Sequence, residues 1–415
     1  MESLLFKNIK QLIQIQEIGL TPIPGKMMAQ LPMLEHAWLL VENGRIADYG
    51  EMSSCPALNI ETIDASGKIL MPSFVDCHTH IVFAASREEE FVMKIQGKSY
   101  EDIAAAGGGI LNSATKLRAS SAEELYQHAS ARLLQLMRLG TGAIEIKSGY
   151  GLNLESELKM LRVIKRLKAN FDIPIKATLL AAHAIPEAYK NNRLAYIDLI
   201  INEIIPAVVK EDLAVFIDVF CEKGFFTVEE TDRILKAGLA HGLRPKIHAN
   251  QLAISGGVQV GVQNNAISVD HLEEIGEEEL EVLSRSNTIP VALPSCSFYL
   301  GIPFTPARRI LDYNLPLALA SDYNPGSTPS GNMNFIFSLA CIKMKLLPEE
   351  AIHAMTLNAA CAMDVQKEVG SITRGKRANL ILTKRIPSLA YLPYSFGENC
   401  IDNVFVKGKI MNSTK

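Results

Sequence analysis

The sequence predicts an α/β chain: a (β/α)8 barrel of the TIM type with a small β-sandwich assembled from both chain ends. Three observations carry this reading. Eight strand-like apolar runs recur between residues 70 and 321, and most intervals between them show helical periodicity. Both termini hold short alternating segments that cannot close a core alone. Five of the nine histidines fall at the ends of the expected strands, the face on which such a barrel keeps its working groups.

Composition bounds the class. With 415 residues the chain can form one large domain and a small one, and 48 % apolar with 21 % charged residues is the balance of a globular enzyme. A net charge of −4 supplies no basic surface for nucleic acid or an anionic membrane. The seven cysteines are scattered and never form Cys-x-x-Cys, so free thiols in a reducing compartment are expected. Residues 1–10 lack the apolar core of a signal peptide, and the apolar stretch 197–209 is broken by Asp198, Asn202, Glu203 and Pro206. The expectation is a soluble, cytoplasmic protein.

In chain order, residues 1–68 form the first part of the small β domain. Segments 37–42 and 45–49 flank Asn43-Gly44, a hairpin with a tight turn. The barrel occupies 69–366, with strands expected at 70–76, 141–147, 174–182, 215–220, 244–247, 266–270, 289–293 and 315–321. Helical periodicity marks 122–139, 155–168, 228–241 and 277–286, and a further helix at 348–363 closes the outer ring. The long connections 81–120 and 184–214 hold extra structure. Residues 367–415 return to the small β domain, with strands at 375–383 and 403–411, the latter turning at Lys407-Gly408-Lys409.

The first barrel run ends in Asp76-Cys77-His78-Thr79-His80. In extended backbone, side chains two apart point the same way, so His78 and His80 can reach one metal ion. Taken alone, such a pair describes polar residues leaving a strand equally well. The other strand ends add Lys147 at the second, His183 at the third, His248 at the fifth, His271 at the sixth and Asp322 at the eighth. His36, His128, His241 and His353 lie in helical or terminal segments and read as surface or packing residues.

Chemistry distributes roles among these groups. His78, His80, His248 and Asp322 offer three neutral nitrogens and a carboxylate, a set suited to Zn²⁺ or Fe²⁺. A catalytic ion of this kind lowers the pKa of bound water to about 7. His271 is the remaining base, Asp322 a ligand that can also accept a proton, and His183 a group that can polarise a carbonyl oxygen. Lys147, if carbamylated, can bridge a second metal, although such bridges usually come from the fourth strand, which here ends at Phe220-Cys221. Arg87, in Ser-Arg-Glu-Glu-Glu-Phe, either clamps a substrate carboxylate or pairs with its glutamates. Tyr150 sits in a glycine-flanked loop. The glycine run 107–109 lacks the Gly-Lys-Ser/Thr of a phosphate loop and reads as a mobile loop over the site.

These segments resemble one family. The residues Asp-Cys-His-Thr-His-Ile-Val-Phe, Arg-Glu-Glu-Glu-Phe, Glu-Ile-Lys-Ser-Gly-Tyr-Gly-Leu, Lys-Ile-His-Ala-Asn-Gln-Leu and Ser-Asp-Tyr-Asn-Pro-Gly-Ser are similar, in this order, to the imidazolonepropionase family of the amidohydrolase superfamily. The resemblance implies hydrolysis of 4-imidazolone-5-propanoate to N-formimidoyl-L-glutamate in histidine breakdown. It implies one divalent metal per subunit, Zn²⁺ or Fe²⁺/Fe³⁺, in a cytoplasmic, commonly homodimeric protein. By position, His78, His80, His248 and Asp322 are then the ligands, and His271 is the catalytic base. Arg87 holds the propanoate. Tyr150, His183, Gln251, Asn324, Gly326, Ser327 and Tyr100 line the substrate.

One position departs from part of the family. Some members carry Glu where this chain has Gln251, which cannot take a proton, so the base here must be His271 with or without Asp322. The same residue weighs against a purine or pyrimidine deaminase, which uses His-x-x-Glu after the fifth strand. Another cyclic amidohydrolase is a further reading. So is an inert barrel kept as a scaffold, which metal content would separate from either enzyme.

Overall fold

The computed structural model describes residues 3–17, 21–98 and 108–411. The chain begins in a sheet that its own end completes. Strand β1 (Ser3–Ile13) pairs antiparallel with β2 (Met33–Glu42), and β2 with β3 (Arg45–Glu51). On its other side β1 takes β4 (Glu61–Asp64) and β5 (Ile69–Pro72) in parallel. Asn43 and Gly44 join β2 to β3 with φ of 50° and 74°, the left-handed pair that a two-residue hairpin requires.

The barrel follows. Its strands are β6 (Phe74–Asp76), β7 (Thr141–Lys147), β8 (Ile175–Ala182), β9 (Phe216–Cys221), β10 (Arg244–Pro245), β11 (Ile247–Ala249), β12 (Ser268–His271), β13 (Ile289–Ala292) and β14 (Ala318–Leu319). Neighbours run in the order β6-β7-β8-β9-β11-β12-β13-β14, all parallel, with β10 a short piece beside β9 just before β11. The ring closes through backbone bonds beyond the strand ends: Asp322 N–H donates to the His78 carbonyl at 3.0 Å, and His80 N–H to that of Tyr323 at 2.8 Å. Eight strand positions in a parallel ring are what the sequence predicts.

The chain end supplies β15 (Leu380–Thr383), β16 (Ile401–Val406) and β17 (Lys409–Ile410), and β15 pairs with β5. The sheet of the two termini is thus continuous, yet Phe6 on β1 and Phe405 on the non-adjacent β16 meet edge to face at 5.0 Å. The sheet therefore folds back on itself around a core that includes Phe6, Leu39, Leu70, Leu380 and Phe405.

The expected run at 70–76 splits at Ser73. Ser73 N–H donates to the Asn379 carbonyl and Phe74 N–H to that of Gly140, both at 2.9 Å. One apolar run thus leaves the terminal sheet as β5 and enters the barrel as β6, a division set by the strands beside it. The run expected at 375–383 also shortens to β15, because Gly375 takes φ 87° and its N–H is stitched to Ile46 of β3 at 2.8 Å.

Helices form where periodicity and caps agree. Ala122–Arg138 and Val228–Ala240 each begin in a capping box, Ser121 with Glu124 and Thr227 with Glu230. The first buries Leu125, Ala129, Leu133 and Leu136 against Ile144 and Ile146 of β7. Truncating one such leucine costs about 2–5 kcal/mol. The helix expected at 348–363 is broken at Thr356 (φ −126°) into Pro348–Met355 and Leu357–Ala362. In 184–214 a π-turn at Ile200–Ile204 precedes Ile205–Lys210, absorbing Pro206, which has no N–H to continue the ladder. Among the described residues no helix is long and apolar enough to cross a membrane, and all seven cysteines are free.

Candidate active site

The C-terminal mouth of the barrel collects the residues singled out above. His78 and His80 follow β6, and Asp322 follows β14. Their facing atoms form a near-regular triangle: His78 Nε2–His80 Nε2 is 3.3 Å, His78 Nε2–Asp322 Oδ1 3.6 Å, and His80 Nε2–Asp322 Oδ1 3.5 Å. Ligands held about 2.0–2.1 Å from a tetrahedral ion are separated by about 3.4 Å, so the triangle has the edge length of one coordination shell. His248, on β11, shares with His78 and His271 a second cluster of nitrogens within 4.8 Å of one another. The His78 and His248 rings are 4.4 Å apart between centroids. Burial first, and then the Lys147 ammonium and the neighbouring imidazoles, hold His78 and His80 far below the usual imidazole pKa, leaving neutral lone-pair donors. Imidazole nitrogens and a carboxylate at these spacings suit a divalent metal.

Carboxylates behind the rings fix their direction. His78 Nδ1–H donates to Asp270 at 2.6 Å and His248 Nδ1–H to Asp218 at 3.0 Å, which fixes both rings and leaves each Nε2 as the lone-pair side. Lys147 donates to Glu145 and Asp218, each at 2.7 Å, and Lys246 completes the buried network by donating to Glu145 and to the Cys77 carbonyl. Burial alone would lower the Lys147 pKa, but Asp218, Glu145 and Asp270 together raise it. An ammonium held this firmly is neither a nucleophile for carbamylation nor free to turn toward the mouth. The bridging role considered for Lys147 is therefore corrected: it anchors the carboxylates that orient the histidines.

His271 ends β12 with φ 89°, Leu272 follows at 64°, and Asn250 and Asp322 take 57° and 56° after their own strands. Left-handed non-glycine residues thus stand at three strand ends of the mouth, four of the fifteen such residues along the described chain. His271 Nδ1 is 3.5 Å from Glu273 Oε2, and Glu273 accepts from Ser297 Oγ at 3.0 Å through its other oxygen. Burial would lower the His271 pKa, but the carboxylates led by Glu273 raise it above the ordinary value.

His183 stacks on His80 (centroids 5.5 Å, planes 17° apart), and Tyr150 lies 5.4 Å from His183. His183 Nδ1–H donates to the Gly149 carbonyl at 3.0 Å, and burial lowers its pKa to about 3. Its Nε2 is then an acceptor. Gln251 is anchored through its backbone N–H to Glu222 at 2.9 Å, while its side-chain amide donates to Cys296 Sγ at 3.3 Å. Asn324 Oδ1 accepts the N–H groups of Gly326 and Ser327, both at 2.8 Å, shaping the loop beside Asp322. Arg87 abuts that loop and is gripped by Glu90. Tyr100 and the first glycine of 107–109 lie outside the described residues.

The residue-by-residue reading missed Glu273, Cys296, Asp218 and Asp270. The last two carried a signal: a lone acid inside an apolar strand run implies a buried partner. Glu273 and Cys296 carried none, because the loop after His271 and the helix Pro294–Leu300 meet only in the folded chain.

Comparison with known proteins agrees with the geometry. Residues 69–411 match the model of the amidohydrolase family. Proteins named imidazolonepropionase are similar over nearly their whole length. That of Christiangramia forsetii is 57 % identical over 99 % of this chain and 100 % of its own, and that of Flavobacterium johnsoniae 54 % over 98 % and 99 %. Among solved structures, a triazine hydrolase variant superposes with TM-score 0.75 at 14 % identity, covering 98 % of this chain and 94 % of its own. At that identity the likeness concerns the fold alone.

Proposed function

The chain belongs to the imidazolonepropionases of the amidohydrolase family, and on that premise we propose that it hydrolyses 4-imidazolone-5-propanoate to N-formimidoyl-L-glutamate. The observation that carries this reading is a histidine–aspartate cluster of metal-binding spacing beside an arginine able to receive a carboxylate.

His78, His80, His248 and Asp322 would hold one metal ion, Zn²⁺ or Fe²⁺/Fe³⁺. When bound, such an ion lowers the pKa of a coordinated water to about 7 and polarises the carbonyl it touches. His271 takes the water proton at Nε2, its Nδ1 side facing Glu273. Water adds to the ring carbonyl carbon, the C–N bond breaks, and His271 returns the proton to the departing nitrogen. His183, with Nδ1–H committed to Gly149, accepts a ring N–H of the substrate through Nε2; this replaces the carbonyl-polarising role expected from sequence. Tyr150, Gln251, Asn324, Gly326 and Ser327 line the ring and propanoate, and Arg87 holds the carboxylate. Gln251 is not an acid and cannot transfer a proton, which separates this site from a base deaminase that needs an acid there.

We propose a cytoplasmic homodimer, a reading that the family resemblance supports; light scattering of the purified protein checks the dimer. The decisive experiment follows the ultraviolet absorbance of imidazolonepropanoate. Turnover that stops on chelation and returns with Zn²⁺ or Fe²⁺ supports the reading. Metal-loaded protein that leaves the substrate intact sinks it.

A further inference from the structure

Arg87, Glu90 and Lys94 occupy one face of the helix Glu88–Ile95 and its N-cap, at spacings of three and four residues. Glu90 grips Arg87 as a planar fork, Oε1 accepting from Nε at 2.8 Å and Oε2 from Nη2. Oε1 also accepts the Gly109 N–H at 3.0 Å, tying this pair to the start of the helix Ile110–Ala119. The Arg87–Glu90 unit is electrically neutral. Its third nitrogen, Nη1, abuts Gly326 so closely that a Cβ there would stand 2.1 Å away.

Lys94 reaches the same glycine. Its Nζ donates to the Gly326 carbonyl at 3.2 Å and stands 5.5 Å from the Tyr299 ring centroid. Among the described residues it has no carboxylate at ion-pair distance; the nearby acid, Glu90, is spent on Arg87 and Gly109. Burial and repulsion from Arg87 lower its pKa, with Glu90 opposing them. A half-buried ammonium beside a second cation has an unmet demand for an anion.

We infer that Lys94 is a second cation of the carboxylate subsite, so that the propanoate is bound at Gly326 between Arg87 Nη1 and Lys94 Nζ while Glu90 holds the guanidinium in place. The inference rests on the carboxylate-bearing substrate proposed above. A carboxylate arriving beside the neutral Arg87–Glu90 pair alone would leave one uncompensated negative charge in a partly desolvated loop. Lys94 cancels it. Arg87 supplies a fixed planar donor edge and Lys94 a compact charge that can swing from the Gly326 carbonyl to the ligand. A substrate with a neutral side chain would leave Lys94 without its anion, which makes the lysine a determinant of specificity as well as affinity.

The test compares wild type, Lys94→Met and Lys94→Arg on imidazolonepropanoate and on the corresponding neutral propanamide. Loss of a charge-assisted contact predicts that Lys94→Met raises KM for the carboxylate substrate by about 10–100-fold with kcat nearly kept. On the propanamide, Lys94→Met should match wild type, and Lys94→Arg should restore most of the carboxylate preference. A KM within twofold of wild type for Lys94→Met, or equal losses on both substrates, overturns the inference and leaves the reaction assignment standing. Wild-type, metal-loaded protein that turns over neither substrate overturns the reaction assignment and the inference with it.

Discussion

Oδ2 of Asp270 accepts the Nδ1–H of His78 at 2.6 Å and stands 3.7 Å from the ammonium of Lys147, with all three side chains fully buried. The carboxylate thus joins an expected metal ligand to a buried cation. Asp270→Asn keeps the shape and removes the charge that makes His78 a strong donor. Metal affinity should fall about 10–100-fold. Metal content after dialysis against graded chelator measures it, and an unchanged chelator midpoint would detach Asp270 from metal retention.

His271→Ala should leave metal content near that of wild type and lower kcat by about 10²–10⁴-fold, the contribution of a positioned proton carrier. Retention of substantial turnover would move the base to another group.

The pH profile tests the Glu273 contact. The carboxylate raises the His271 pKa against the downward pull of burial. A base acts unprotonated, so a raised pKa places the acid limb of kcat/KM above the ordinary histidine value of about 6.5. Glu273→Gln removes the leading attraction and keeps the burial, so the limb should move to lower pH. An unmoved limb in this variant would assign the limb to a different group.

Lys147→Met would leave Glu145, Asp218 and Asp270 buried with Lys246 as their remaining lysine. Breaking such a network costs about 3–5 kcal/mol. Denaturant unfolding of the metal-free and metal-loaded variants should show the loss in both. Two metals per chain in the wild type, with one lost in the variant, would restore the bridging role.

Gly326→Ala places a methyl group against Arg87 Nη1, which Glu90 keeps from retreating. KM for the carboxylate substrate should rise about tenfold or more while thermal stability changes little. An unaltered KM would place the carboxylate elsewhere.

Much of this site was legible because its logic is local. His78 and His80 share a direction because extended backbone repeats every two residues, and His248, His271 and Asp322 each end an apolar run that could be read without its neighbours. Asn43-Gly44 announced its turn in the same way, and periodicity announced the helices that the Ser121–Glu124 and Thr227–Glu230 boxes begin. Lys147 was visible at its strand end, but its partners were not. Its role follows from Asp218 and Asp270, which come from strands far along the chain.

The sequence by itself determined the eight-strand alternation, the two-ended β domain and the ring of histidines, because periodicity and turn chemistry act over a few residues. Only the tertiary structure decided that the 70–76 run divides at Ser73 between two sheets, since each half follows the strands beside it. It alone made Lys147 an anchor, set Glu273 against His271, and brought Lys94 to Gly326, 232 residues away in the chain. Those relations depend on which buried charges meet across the closed ring, and a buried charge takes its role from its partner.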